Sequence, residues 1–161
     1  MKKVIIGVMG PGSEATSNDV NNALKIGELV AKNGWILLTG GMKKGVMGAA
    51  NKGAKKNKGL TLGILPNDDV NTHSENLDIS IITNMKSGRN YMNALSSHIM
   101  IACGMGAGTA TEVSHAIQLK KPVILLGNGE ESVDFFKSIG KGNVYVAETP
   151  EEAIKIAKTL I

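Results

Sequence analysis

Three glycine-rich segments are the parts of this sequence best suited to chemistry. They are residues 7–13, 39–48 and 104–109. Glycine lets backbone N–H groups approach an anion closely, and a helix that begins just afterwards adds a favourable dipole charge. The second and third segments therefore predict a site for a phosphate-bearing small molecule. The first segment is also compatible with a simple tight turn that needs positive φ.

The spacing of these glycines argues against two common nucleotide sites. The first segment reads G-x-x-G-x-G instead of G-x-G-x-x-G, and Thr39 stands where an acidic residue would bind a ribose hydroxyl. A standard NAD site is therefore not predicted. The second segment lacks the G-K-[ST] ending of a P-loop, so hydrolysis of a nucleoside triphosphate is not indicated.

Two charged residues near the third segment are candidates for direct action on a ligand. Arg89 is the only arginine among 18 basic residues, and its planar fork suits bidentate recognition of phosphate or carboxylate. Glu112 has two interpretations. It completes a capping box that starts at Thr109, or it is a carboxylate at the pocket mouth that acts on a sugar hydroxyl or a developing cation.

The elements that must position these residues follow from alternating apolar runs and helical patterns. The predicted strands are 4–9, 35–39, 60–65, 79–83, 99–103, 123–126 and 143–147. Helices are predicted from Ser17, over 46–56, 91–97 and 109–120, and after a cap at Thr149. This order predicts an α/β fold, with one Rossmann-like domain over 1–161. Its doubly wound, mostly parallel sheet would have six to seven strands and helices on both faces. The polar segment 67–76 is predicted to be the least ordered.

The three glycine-rich segments follow the first, second and fifth predicted strands. Carboxyl ends of parallel strands share one edge of a sheet, and ligands bind there at the topological switch point. We therefore expect all three segments to lie on one rim.

Composition restricts the class of partner. The net charge of +4 owes much to lysines at 43–58, and no aromatic residue is interleaved with them, so nucleic-acid binding is not expected. The lysines of 52–58 are interpreted as a solvated helix face. Residues 1–9 are basic, then apolar, as in a signal peptide, but the run is short and Gly10-Pro11 follows, so a first buried strand is predicted. No run reaches membrane-spanning length.

The number and positions of cysteines and histidines restrict the expected cellular compartment and the expected metal sites. Cys103 is the only cysteine, which fits a reducing cytoplasm without disulfides. His73, His98 and His115 are dispersed, so no metal site built from protein side chains is expected.

The second and third segments resemble motifs of the Lonely Guy family of phosphoribohydrolases. Residues 39–48 resemble GGGxxGxMG, residues 104–112 resemble PGGxGTxxE, and the position of Arg89 fits the family's arginine. The resemblance covers about residues 1–127. It implies cleavage of a nucleoside 5′-monophosphate such as AMP into base and ribose 5-phosphate, with Arg89 and Glu112 as catalytic residues.

Departures from these motifs resemble a sister branch, the molybdenum cofactor carrier proteins. Met42 replaces a motif glycine, Gly104-Met105 replaces proline and glycine, and Gly10-Pro11-Gly12 is present. This resemblance implies a protein that binds and protects a phosphorylated pterin carrying molybdenum. It also implies a homo-oligomer, as a dimer or tetramer, and exchange with molybdoenzymes or cofactor-biosynthesis proteins. The phosphoribohydrolase activity stays as the alternative.

The predicted ligand-binding residues come from the three segments and the Arg89 region. They are Gly10, Pro11, Gly12, Ser13, Thr39, Gly40, Gly41, Met42, Lys43, Lys44, Gly45, Val46, Met47, Arg89, Asn90, Gly104, Met105, Gly106, Ala107, Gly108, Thr109 and Glu112.

Overall fold

A seven-stranded parallel sheet forms the centre of the protein. The computed structural model describes residues 3–161, so Met1 and Lys2 of the predicted domain lie outside the described residues. The strands are β1 (Ile5–Met9), β2 (Ile36–Thr39), β3 (Leu60–Leu65), β4 (Ile79–Ile82), β5 (Ile99–Cys103), β6 (Val123–Leu126) and β7 (Val144–Ala147). Their order is β4-β3-β2-β1-β5-β6-β7, and every neighbouring pair is parallel.

Helices cover both faces of this sheet. They are α1 (Ser17–Lys32), α2 (Gly45–Lys56), α3 (Arg89–Ser96), α4 (Ala107–Gln118), α5 (Glu130–Ile139) and α6 (Pro150–Thr159). One apolar cluster joins the strands to α1, α2 and α6, and a second joins them to α3, α4 and α5. The predicted doubly wound α/β fold is confirmed. Within residues 3–161, no helix is both long and apolar enough to cross a bilayer.

Aliphatic residues build the core because the inner strands are buried on both faces. All five residues of β5 and all four of β6 are buried, as continuous aliphatic runs in parallel sheets require. Continuous apolar runs also explain why the predicted strands 99–103 and 123–126 match the observed bounds. The predicted strand 60–65, which contains Thr61 and Gly63, matches as well.

The strand order brings the glycine-rich segments together. β1 lies between β2 and β5, so the segments that follow these three strands occupy adjacent positions on the carboxyl edge. Strands β2 to β4 lie on one side of β1 and strands β5 to β7 on the other, so the strand order reverses at β1. The carboxyl edge at β1 is therefore the topological switch point. The expectation that the segments share one rim is confirmed.

Two local predictions differ from the structure. Helix α1 is capped by Thr16, not Ser17, because Thr16 and Asp19 exchange the two hydrogen bonds of a capping box. The sequence patterns did not predict helix α5.

Segment 67–76, predicted to be the least ordered, contains a short 3-10 turn. Two backbone hydrogen bonds join it to the loop after β2, from Ser74 N–H to the Gly41 carbonyl and from Lys43 N–H to the Thr72 carbonyl.

Candidate functional site

A cavity of about 500 Å³ lies on the carboxyl edge beside β1 and β5. Its walls come from five parts of the chain. They are the loop after β1, the start of α2, the connection after β3, the start of α3 and the start of α4. The lining residues are Met9, Gly10, Pro11, Gly12, Glu14, Met47, Pro66, Asn67, Lys86, Ser87, Arg89, Asn90, Gly106, Ala107, Gly108, Thr109 and Glu112.

Arg89 and Glu112 meet in this cavity although 22 residues separate them in the chain. Their side chains are 11% and 7% exposed, and Arg89 Nη1 lies 3.4 Å from Glu112 Oε1. Nη1 also donates to Asn90 Oδ1 at 2.6 Å, whereas the buried Nε has no partner within residues 3–161. The guanidinium therefore keeps an unsatisfied edge, which is the geometry an anionic ligand needs.

Burial changes the titration of both groups. It raises the pKa of Glu112 to about 7, against opposing effects from the Asn93 hydrogen bond and the Arg89 charge. Burial likewise lowers the pKa of Arg89, while Glu112 opposes that change. Glu112 therefore exchanges a proton near neutral pH, as groups in functional sites often do.

The capping interpretation of Glu112 is wrong. Helix α4 begins at Ala107 with Gly106 as its N-cap, so Thr109 already lies inside the first turn. The Glu112 carboxylate instead accepts a 2.7 Å hydrogen bond from Asn93 Nδ2. Sequence spacing suggested a cap because it could not show that the glycines 106 and 108 belong to the helix start.

The start of α4 leaves backbone donors available to the cavity. Among residues 3–161, no side chain caps this end, and the first helical bond is donated by Ala110 N–H to the Gly106 carbonyl. The N–H groups of residues 107–109 precede that bond, and these residues line the cavity. Unpaired N–H groups at a helix N-terminus form an anion site, and here they lie in the same cavity as the Arg89 guanidinium.

A second cavity of about 250 Å³ adjoins the first and shares Gly12 and Met47 with it. Its other lining residues are Ser13, Met42, Lys43, Lys44 and Thr72. Two methionines and two exposed lysines make this region apolar at the base and positively charged at the rim. The smaller cavity thus extends the site toward the N-terminus of α2.

Several predicted residues support the loops without facing either cavity. Thr39 is buried, donates to Asn51 and accepts from the N–H of Gly41. The remaining supporting residues are Gly40, which packs on the Arg89 guanidinium, and Gly41, Gly45, Val46, Gly104 and Met105.

Sequence patterns also missed residues that the fold brings to the site. Glu14, Pro66, Asn67, Lys86 and Ser87 line the cavity, and they belong to connections without a recognisable motif. Asn93 binds Glu112 from the buried side of α3. A polar residue on the inner face of an amphipathic helix was the only available signal.

Lysines outside the site behave as the sequence indicated. Lys55 pairs with Asp78 and Lys56 with Glu28, and Lys52 and Lys58 are exposed. This supports a solvated helix face. Within residues 3–161, no three His, Cys, Asp or Glu side chains are grouped to hold a metal ion.

Comparison with known proteins identifies the family. Residues 3–154 match the model of the SLOG cluster4 family. The chain belongs to this family. A protein from Archaeoglobus fulgidus described as uncharacterized is 36% identical over 161 residues, covering 96% of this chain and 94% of the relative.

Solved structures of related proteins superpose over nearly the whole chain. The molybdenum cofactor binding protein of Rippkaea orientalis is 47% identical with a TM-score of 0.96, covering 99% of this chain and 98% of that one. The molybdenum cofactor carrier protein of Chlamydomonas reinhardtii is 48% identical with a TM-score of 0.94, with coverage of 99% and 98%. The resemblance to the carrier branch, predicted from the motifs, is confirmed.

The raised pKa of Glu112 gives this SLOG cluster4 protein a measurable pH dependence. Between the ordinary pKa of 4.5 and the folded pKa of about 7, the folded state keeps a proton that the unfolded state releases. Stability from this group is therefore present at low pH and is lost as pH rises to 7. Relative to Glu112→Gln, we expect the wild-type free energy of unfolding to fall by roughly 3 kcal/mol between pH 4.5 and 8.

Urea denaturation of both proteins across this pH range measures the difference. A parallel pH dependence in the two proteins would show that Glu112 titrates normally and is not buried as described. Glu148→Gln, at an exposed carboxylate outside the cavity, is the matched control.

Proposed function

We propose that this protein binds the molybdenum cofactor and carries or protects it. The observation that carries the proposal is the cavity, where a nine-tenths buried arginine with a free edge lies beside the uncapped start of α4. Two solved structures that match nearly the whole chain are named as binding or carrier proteins for this cofactor. The cofactor is a pterin with a phosphate group and a molybdenum dithiolene.

The phosphate of the cofactor fits the larger cavity. The N–H groups of residues 107–109 precede the first helical bond of α4 and line this cavity. Arg89 Nε is a buried donor without a partner within residues 3–161, and burial makes such an unsatisfied donor costly. Phosphate oxygens satisfy such donors, so binding relieves this cost. Charge at the Arg89 guanidinium favours the same group.

The rest of the cofactor fits the smaller cavity. The cavity of about 500 Å³ lies in the range of small-molecule sites, and the adjoining cavity of about 250 Å³ shares Gly12 and Met47 with it. Met42 and Met47 offer polarizable, adaptable contact surfaces. Lys43 and Lys44 stand at the rim and add positive charge for an anionic ligand.

Equilibrium binding of isolated molybdenum cofactor under anaerobic conditions tests the proposal. We expect saturable binding with one site per chain, and co-elution of cofactor with protein on gel filtration. Excess AMP serves as the competitor that reports on a shared phosphate site. Absence of saturable cofactor binding would contradict the carrier role.

Gly108→Val separates binding from folding. A Cβ at residue 108 meets only Asn90 Nδ2, at 3.8 Å, so the fold has room for it. The added side chain enters the cavity beside the N–H groups of the α4 start. We expect at least a ~10-fold loss of cofactor affinity from lost donor contacts, with the melting temperature unchanged within about 2 °C.

The matched control is Gly129→Val, at another exposed helix start outside the cavity where a Cβ also meets nothing. It should leave affinity unchanged. Equal affinity in Gly108→Val and wild type would place the ligand elsewhere.

A second candidate function is hydrolysis of nucleoside 5′-monophosphates. It is favoured by Glu112, a cavity carboxylate with a pKa of about 7 next to Arg89. Such a group can stabilise an oxocarbenium-like ribose or orient water. Release of adenine and ribose 5-phosphate from AMP, abolished in Glu112→Gln, would establish the enzyme and overturn our preference for a carrier.

We also propose that the protein forms a homo-oligomer in the cytoplasm. The edge strand β4 exposes Ile79, Ile81 and Ile82, and α3 exposes Tyr91, Met92 and Leu95. A second copy of the chain supplies an identical apolar surface, as in a two-fold symmetric contact. Light scattering of wild type and Ile81→Lys tests this, since a monomeric wild type contradicts it.

A further inference from the structure

Asn93 is a fully buried polar residue in the middle of α3, on the side opposite the exposed apolar face. Its Nδ2 donates to Glu112 Oε1 at 2.7 Å, and its Oδ1 has no donor within residues 3–161. Leucine of similar shape would bury the same volume without this unsatisfied acceptor. The arrangement therefore calls for a role beyond packing.

The bonds to Glu112 Oε1 are unequal. Asn93 approaches at 2.7 Å, whereas Arg89 Nη1 stays at 3.4 Å, beyond the usual range for an N–H···O hydrogen bond. The carboxylate thus lies closer to the neutral amide of Asn93 than to the guanidinium of Arg89. The Arg89 guanidinium is held more tightly by Asn90, at 2.6 Å, than by Glu112.

Within the function proposed above, we propose that Asn93 is a positioning residue that keeps Glu112 from closing onto Arg89. A carboxylate and a ligand phosphate compete for the same guanidinium, because each forms strong charge-assisted bonds with its fork. Asn93 occupies Oε1 and restrains the carboxylate. The unpartnered edge of the Arg89 guanidinium therefore stays available to the ligand.

Replacing Asn93 with leucine removes this restraint. Oε1 then has Arg89 as its remaining donor, and the two side chains close into an ion pair that excludes the ligand. We expect affinity for a phosphate-bearing ligand to fall by about 10-fold at pH 8. The effect should shrink to less than ~2-fold in the Glu112→Gln background, because a neutral amide competes weakly for Arg89.

The pH dependence of ligand affinity, which proton uptake by Glu112 controls, is a readout that a purely structural defect would not change. The other charged groups around it are Arg89 on α3, Lys86 and Glu14 on the cavity wall, and His115 one turn further along α4. Glu112 becomes protonated below about pH 7 and stops competing for Arg89. The affinity difference between wild type and Asn93→Leu should therefore be smaller at pH 5.5 than at pH 8.

The experiment measures binding of two probes, inorganic pyrophosphate and isolated molybdenum cofactor, at pH 8 and pH 5.5. The proteins are wild type, Asn93→Leu, Glu112→Gln and the double variant. Ser97→Ala is the control, because Ser97 is the buried C-cap residue of the same helix and donates to the Asn93 carbonyl without lining the cavity. It should bind both probes like wild type. Asn93→Ser replaces Asn93→Leu if the latter fails to fold.

The outcomes separate this inference from the carrier function. Pyrophosphate binding with the predicted pattern, but no cofactor binding, supports the role of Asn93 and rejects the carrier. An affinity defect that is equal at both pH values, or that persists in the Glu112→Gln background, overturns the role of Asn93. If neither probe binds wild type, both proposals fail.

Discussion

Replacing Arg89 with methionine is expected to lower the affinity for the phosphate-bearing ligand by at least about 100-fold. Truncating one member of a buried charge pair costs roughly 2–5 kcal/mol in binding, and tenfold corresponds to about 1.4 kcal/mol. Arg89 is the cavity residue with both a buried free donor and a full positive charge. Arg89→Lys should recover little, because an ammonium lacks the planar fork.

Isothermal titration with the cofactor or pyrophosphate measures this loss. The control is Lys86→Met, at an exposed lysine on the same cavity wall. Its charge is solvated, so we expect less than a ~3-fold effect that disappears at high salt. If Arg89→Met and Lys86→Met lose affinity equally, general charge and not the buried guanidinium attracts the ligand.

Most of the fold followed from the sequence because its strongest signals are local. Strands β5 and β6 are uninterrupted apolar runs, and the start of α6 carries a threonine cap and proline in its first turn. Helix α5 was not predicted, although Val133, Phe136 and Ile139 recur at helical spacing. Its ten residues lie between glycine-containing turns, and of them only Phe136 is buried.

The site could be predicted where glycine marks a loop and where Arg89 and Glu112 match the motifs of a known family. The shared rim followed from strand alternation, which fixes where loops after parallel strands must lie. Which loop residues face the ligand depends on backbone angles that sequence does not show. Gly104 and Gly41, for example, have positive φ and pack against Asp19 and Leu65, so their role is to shape the turns.

Contacts between residues far apart in the sequence were the features that the sequence predicted least well. The bond between Asn93 and Glu112 joins α3 to α4 and depends on how two helices pack on one face of the sheet. Nothing in the local sequence of either helix encodes it. The sequence suggested Glu112 as a helix cap, whereas the same packing makes it a buried carboxylate with a pKa of about 7.

Gly45→Ala is expected to have the largest effect on stability. Gly45 has φ of +59°, and a Cβ there would lie 2.1 Å from the Gly12 carbonyl oxygen and 2.4 Å from that of Pro11. Both obstacles are backbone atoms of the first glycine-rich loop, so they cannot move as a side chain would. Strain in the left-handed region adds to this clash. We expect the free energy of unfolding to fall by ~3 kcal/mol and the melting temperature by about 6–12 °C.

The loop contact makes this a test of the site as well as of the fold. Val46 N–H donates to Pro11, so residues 10–12 and the start of α2 are held together between the two cavities. Forcing them apart should also weaken ligand binding. Gly12→Ala is the stability control, because a Cβ there meets nothing within 4 Å. Calorimetry should place Gly12→Ala within ~0.5 kcal/mol of wild type. Equal melting temperatures for Gly45→Ala and Gly12→Ala would mean that the two loops do not touch in solution, and that the shared wall between the cavities is not fixed by this contact.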